Sequence, residues 1–305
     1  MDYDGKNTSG PEIISLYGKT RKPTKEMLDG IDLIIYDIQD VGARFYTYIS
    51  TLGLVMEAAG EYGIDVMVLD RPNPIGGEIV EGAILDTAFK SFVGYYPIPI
   101  RYALTVGELS QMAVQEGWLT SNPPNLTIVK MDGWERKMFY DDTNLPWVPP
   151  SPNIPDLETA IIYPGMCLYE ATNVSEGRGT NNPFKQIGAP WMTYEIAKEM
   201  RDLGFEGIDF EYAKFKPKNL PGKAEKPKFE NQSCFGQKFV ITDRNKVRSV
   251  EVATQSIYIT FGLYTEHFLF KQGRLNKLFG SNQLFQLLRG KLKNNKGKLI
   301  KSPPE

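Results

Sequence analysis

Two short apolar runs, each closed by an aspartate and separated by a single helical pattern, constrain this chain more than any other feature. Ile31 to Tyr36 ends at Asp37, and Asp65 to Leu69 ends at Asp70-Arg71-Pro72-Asn73-Pro74. Between them Ile49, Leu52, Val55, Met56 and Ala59 recur at helical spacing from about Tyr46 to Tyr62, with Gly63 as the stop. Strand, helix and strand in this order form a βαβ unit with parallel strands. In an open α/β sheet the ligand crevice lies beyond the carboxyl ends of the strands, so residues 37–44 and 70–74 are expected to line one edge.

Further along, Thr105-Val106-Gly107-Glu108 has the form of a capping box, which starts a helix carrying Leu109, Met112 and Ala113. Leu126 to Lys130 reads as a strand. Leu145 to Pro155 holds five prolines, which forbid regular ladders and mark a connector. Beyond it the pattern predicts a helix over Thr193 to Leu203 stopped by Gly204, a strand over Gln237 to Thr242, and a long aromatic-rich helix over Val250 to Phe270. The expected fold is α/β. A parallel-sheet domain is expected over residues 1–145, and a mixed α/β domain over residues 146–305.

Charge and cysteine usage exclude several functions. Lys and Arg total 35 against 37 Asp and Glu, a net charge of −2, which leaves no electrostatic footprint for a nucleic acid. Only Lys291 to Lys301 is locally basic, and it reads as solvated. Cys167 and Cys234 are too few for a disulfide framework, and with His267 as the only histidine a zinc site is not expected. No apolar run approaches the ~18 residues that span a bilayer, so no integral membrane segment is expected. The first ten residues, MDYDGKNTSG, show no signal-peptide pattern. A nucleotide cofactor is not expected either, because the G-x-G-x-x-G and G-K-[ST] phosphate loops are missing.

Three polar clusters interrupt the apolar segments. Asp37 to Tyr48 contains Asp40, Arg44 and Tyr46. It suits a sugar site, and it equally suits helix capping by Asp40 with Arg44 as its ion-pair partner. Asp70 to Gly77, with Glu81 just after it, places Asp70, Arg71 and Asn73 in a turn that its prolines and glycines also explain structurally. Glu170 to Asn181 contains Glu170, Asn173, Glu176 and Arg178. The forked, permanently charged Arg178 suits a carboxylate-bearing ligand, and the two glutamates suit acid or base work. Arg101, before the capping box, is a ligand-binding candidate or a surface ion pair. His267 and the two cysteines read as packing residues.

At these same residues the chain resembles the DUF1343 family, the exo-β-N-acetylmuramidases called NamZ, which remove terminal N-acetylmuramic acid from peptidoglycan fragments. The matching stretches are SLYGKTRKPT (Ser15 to Thr24), YDIQDVGARFYTYIST (Tyr36 to Thr51), LDRPNPIGG (Leu69 to Gly77), TVGEL (Thr105 to Leu109), PPSPNIP (Pro149 to Pro155) and YEATNVSEGRGTNNPFKQIGAPW (Tyr169 to Trp191). The resemblance implies a Rossmann-like domain followed by a smaller α/β domain, with the cleft between them. It also implies a glycosidase without cofactor or metal, muramic acid glycosides as substrate, and a periplasmic or secreted location.

By the same resemblance Asp40, Arg44, Tyr46, Asp70, Arg71, Asn73, Arg101, Glu170, Asn173, Glu176 and Arg178 fall in cleft-lining motifs. Their chemistry makes Glu170, Asp40 and Glu176 the catalytic candidates and the others substrate-binding ones, with Arg178 or Arg101 pairing with the lactyl carboxylate. Family members carry a further segment ahead of the SLYG stretch, with the first strands and a Ser-Pro-Glu-His-Gly motif that holds the proposed catalytic Glu. This chain is expected to begin after it, which makes the first domain N-terminally truncated and prone to self-association. A non-catalytic amino-sugar-binding remnant, or one half of a split enzyme, is therefore the alternative. Ala103 and Ala171 stand where the family pattern suggests glycine.

Overall fold

A computed structural model describes residues 11 and 13–293, and the segments MDYDGKNTSG and Lys291 to Lys301 lie outside the residues whose side chains it describes. The βαβ unit forms as the sequence predicts: β1 (Leu33–Tyr36), α1 (Tyr48–Tyr62) and β2 (Asp65–Leu69), with Leu33 opposite Asp65 in a parallel ladder. Gly63 ends α1 with φ +70°, the left-handed conformation that glycine adopts without penalty. A second helix, α2 (Val106–Gln115), begins at the capping box. There Thr105 Oγ1 accepts from the Glu108 N–H at 3.2 Å, and the Glu108 carboxylate accepts from the Thr105 N–H at 3.0 Å. Next, β3 (Leu126–Val129) adds to β2 in parallel, giving the order β1-β2-β3.

One face of this sheet buries Tyr36, Val66 and Val68 against Ile49, Leu52 and Met56 of α1 and Leu109 of α2. The other face leaves Leu33, Ile35 and Val129 exposed at 41%, 57% and 45%. Parallel sheets are ordinarily covered on both sides, so this half-open sheet is unusual.

The second unit contains α3 (Leu157–Met166), β4 (Gln186–Ala189), α4 (Glu195–Asp202), β5 (Ile208–Phe215), β6 (Cys234–Ile241), α5 (Ser249–Leu263), α6 (Gln272–Phe279) and α7 (Gln283–Lys293). Its strands form an antiparallel sheet in the order β4-β6-β5. Helix α3 crosses α5 so closely that a Cβ on Gly165 would meet the Ser249 carbonyl oxygen at 1.8 Å, so only glycine fits there. A continuous core runs from Val41 and Phe45 of the first unit through α3 and α5.

Two expectations are corrected. The aromatic helix ends at Leu263 instead of Phe270, because the backbone of Tyr264 leaves the helical region. The aromatic spacing continues past that point only because Phe268 and Phe270 pack on Phe261 from a turn. The strand expected at Gln237 begins at Cys234, and α3 has no counterpart in the sequence reading. Among the described residues no helix is long and apolar enough to cross a membrane.

Candidate functional site

The carboxyl edge of the parallel sheet opens into a pocket of about 490 Å³, lined by Asp37, Asp70, Arg71, Asp132, Trp134 and Asp142 among others. Arg71 pairs with Asp37 at 2.6 Å through Nη2 and at 2.7 Å through Nε. Asp70 accepts from the Thr105 hydroxyl at 2.7 Å, the Gly107 N–H at 2.8 Å and the Arg71 N–H at 3.0 Å, so it fastens β2 to the start of α2. Asn73 shapes its own turn: its Nδ2 donates to the Leu104 carbonyl at 2.9 Å, and its Oδ1 accepts from the Ile75 N–H at 3.2 Å.

Asp40 lies deeper. Its Oδ2 accepts from the Gly42 N–H at 2.7 Å and from the Tyr102 hydroxyl, and its Oδ1 has no partner. Burial pushes its pKa up to about 6, against the pull of the Tyr102 and Gly42 hydrogen bonds. The expected ion pair with Arg44 does not form. Arg44 is fully buried and donates to the carbonyls of Ala83 and Ile98, both at 2.7 Å, and of Leu278 at 3.0 Å. Leu278 belongs to the last turn of α6, where a cation complements the helix dipole.

Arg101 is likewise fully buried, so the surface ion pair is corrected. Its Nη2 donates to the Ile75 carbonyl at 2.5 Å, and its Nη1 lies 3.5 Å from Glu81. Glu81 in turn accepts from the Val250 N–H at 3.1 Å, in the first turn of α5. Burial raises the pKa of Glu81 and lowers that of Arg101 to about 10, so loss of solvent outweighs their mutual attraction. In this structure neither Arg44 nor Arg101 presents its guanidinium to a ligand.

A second constellation forms on the polar loop after α3. Glu170 accepts from Arg178 Nη2 and from Arg274 Nη2, both at 2.5 Å. Glu176 lies 3.5 Å from Arg178 Nε and accepts from Lys228 Nζ at 2.9 Å. Burial works against the charge of Arg178, but Glu170 and Glu176 outweigh it and raise its pKa. The Arg178 guanidinium thus lies between the two glutamates. Asn173 instead pins the loop, donating to the His267 carbonyl and accepting from the Leu269 N–H, both at 2.8 Å.

Aromatic rings run from the second constellation to the proline-rich connector. The Arg178 guanidinium sits 5.0 Å over Phe184, Phe184 meets Tyr163 edge-on at 4.9 Å, and Tyr163 meets Tyr46 at 6.1 Å. The Tyr46 hydroxyl donates at 2.8 Å to the carbonyl of Pro150, in the proline-rich connector. Sequence reasoning missed Arg274, Lys228, Tyr102, Tyr163 and Trp134. The first two sit in ordinary amphipathic or loop sequence, far along the chain from the glutamates they meet, so no local pattern marks them.

Residues 2–158 match the family described as exo-beta-N-acetylmuramidase NamZ, N-terminal, and residues 161–301 match its C-terminal counterpart. The peptidoglycan beta-N-acetylmuramidase NamZ of Bacillus subtilis (strain 168) is 46% identical over 275 residues, which are 90% of this chain and 64% of that protein. The chain thus spans a little under two thirds of that relative's length. A crystal structure of a DUF1343 family protein from Bacteroides fragilis NCTC 9343 superposes with TM-score 0.85 at 37% identity, covering 93% of this chain and 74% of that one. A second DUF1343 protein of the same organism gives 0.70 at 33% identity, covering 88% and 70%.

Proposed function

The chain belongs to the NamZ exo-β-N-acetylmuramidase family, and from that premise we propose that it is a glycosidase removing terminal N-acetylmuramic acid from peptidoglycan fragments. The observation that carries this reading is the 46% identity over 275 residues to a peptidoglycan beta-N-acetylmuramidase. The chemistry of the site supports it. Glycoside cleavage proceeds through a transition state with positive charge developing at the sugar ring, and a pair of carboxylates near the bond meets that demand. Glu170 and Glu176 form such a pair. Arg178, Arg274 and Lys228 surround their oxygens, and carboxylates so placed suit stabilising the sugar cation. Asp40 is buried, so it acts through Tyr102 and the 37–44 loop as a positioning residue.

A second reading is a protein that binds these sugars without cleaving them. It is favoured by one observation: Glu170 and Glu176 are engaged by arginine or lysine, and Asp40 is closed off from solvent. The test is release of the aryl group from a chromogenic β-N-acetylmuramide by the folded chain, with the glucosaminide as control. Turnover of the muramide supports the hydrolase, and saturable binding without turnover supports the second reading. Neither turnover nor binding overturns both. The reading carries a periplasmic or secreted location with it, which cell fractionation tests.

A further inference from the structure

The two constellations differ in charge sign, and that difference selects the group each can receive. The pocket at the sheet edge presents Asp37, Asp70, Asp132 and Asp142 with Arg71 as the cation among its lining residues, a field that repels a carboxylate. Around Glu170 and Glu176, Arg178, Arg274 and Lys228 leave one net positive charge. A carboxylate on a ligand is therefore drawn to the second constellation.

Within it the arginines are not equivalent. The side chain of Arg178 is 34% exposed and donates a hydrogen bond to Glu170, with its Nε buried 3.5 Å from Glu176, whereas that of Arg274 is 50% exposed. Among the described residues Glu170 is the partner of Arg274, reached through Nη2 alone, which leaves Nε and Nη1 uncommitted. The helix that carries it is anchored at both ends. Helix α6 is tied at its start by the Lys271 N–H on the Ala171 carbonyl at 2.8 Å, and at its end by Arg44 on the Leu278 carbonyl. A half-exposed fork with free donors on an anchored helix suits bidentate capture of a carboxylate.

We propose that Arg274 is the specificity-determining cation of this site, receiving the lactyl carboxylate that distinguishes N-acetylmuramic acid from N-acetylglucosamine. The proposal rests on the amino-sugar reading above and deepens it. Glu170 orients the guanidinium, Arg178 neutralises Glu170 from the other side, and the ligand carboxylate takes the open edge of Arg274.

The experiment is calorimetric titration of the folded chain with the methyl β-glycosides of N-acetylmuramic acid, its uncharged lactyl methyl ester, and N-acetylglucosamine. The expected result is that the acid binds at least about tenfold more tightly than the other two. Arg274→Gln should abolish that preference, and Arg274→Lys should restore part of it. A preference for the acid that survives in Arg274→Gln overturns the proposal, as does equal binding of the acid and its ester by the unaltered chain. In either case the amino-sugar reading still stands. Binding of none of the three sugars by the unaltered chain overturns that reading together with the proposal. The ester comparison requires no variant, so it decides the matter even if Arg274→Gln folds poorly.

Discussion

In the first unit Arg44 and Arg101 are sealed from solvent and direct their donors mainly to backbone carbonyls, whereas in the second Arg178 and Arg274 are part-exposed and meet carboxylates. All four carry the same forked cation. The surroundings decide its role: the buried pair is held among backbone carbonyls, with Arg44 Nε and Arg101 Nε and Nη1 left without a hydrogen-bond partner, while a part-exposed guanidinium keeps water as an alternative partner. The buried pair therefore joins elements, and the exposed pair is available to a ligand.

The sharpest way to break this contrast is Arg101→Met, which leaves Glu81 buried without its cation. The expected loss is about 3–5 kcal/mol, read from the urea midpoint; a loss under about 1 kcal/mol would mean that solvent reaches the pair. Asp40 offers the next largest effect, through pH. Its native pKa of about 6 lies above the ordinary 3.8, so the folded state binds the extra proton. Stability should then fall as pH rises from about 4 to about 6, by about 3 kcal/mol in all. Asp40→Asn should flatten that slope, and an unchanged slope would place its origin elsewhere.

Arg274→Gln should cost no more than about 1 kcal/mol of stability, since the pair it removes is half exposed. A loss matching that of Arg101→Met would erase the distinction between the two regions. The smallest effect is expected at Ala103, whose φ of +57° is strained for any residue with a side chain. Ala103→Gly relieves that strain but removes a buried methyl worth ~0.8 kcal/mol. A net gain of about half a kcal/mol is expected in a thermal melt.

How much the sequence discloses follows the same division. The βαβ unit and the helix after it were readable because the periods switch cleanly from strand to helix and back, and because Gly63 and the Thr105–Glu108 box mark helix ends by chemistry acting over three or four residues. Helix α3 escaped because its core sequence, with Pro164 inside an almost wholly apolar segment, carries no amphipathic period. Strand β5 escaped because its alternation breaks at Tyr212, where two successive residues are exposed. At the site, the loops holding Asp40, Glu170 and Arg178 stood out as polar islands. The orientation of Arg44 and Arg101 did not, since a sequence shows a charge but not the carbonyls that fold around it. Arg274 meets Glu170 across 104 residues, a pairing that only the tertiary fold creates.

Arg44 on the last turn of α6 and Glu81 on the first turn of α5 have a mechanical consequence. Each is a polar fastener driven from one unit into a helix end of the other, and sliding either unit would strip it from its carbonyl or amide partners with no water at hand to replace them. A change in how the two units meet would therefore cost hydrogen bonds at both helix ends at once, which couples the seating of α5 to that of α6.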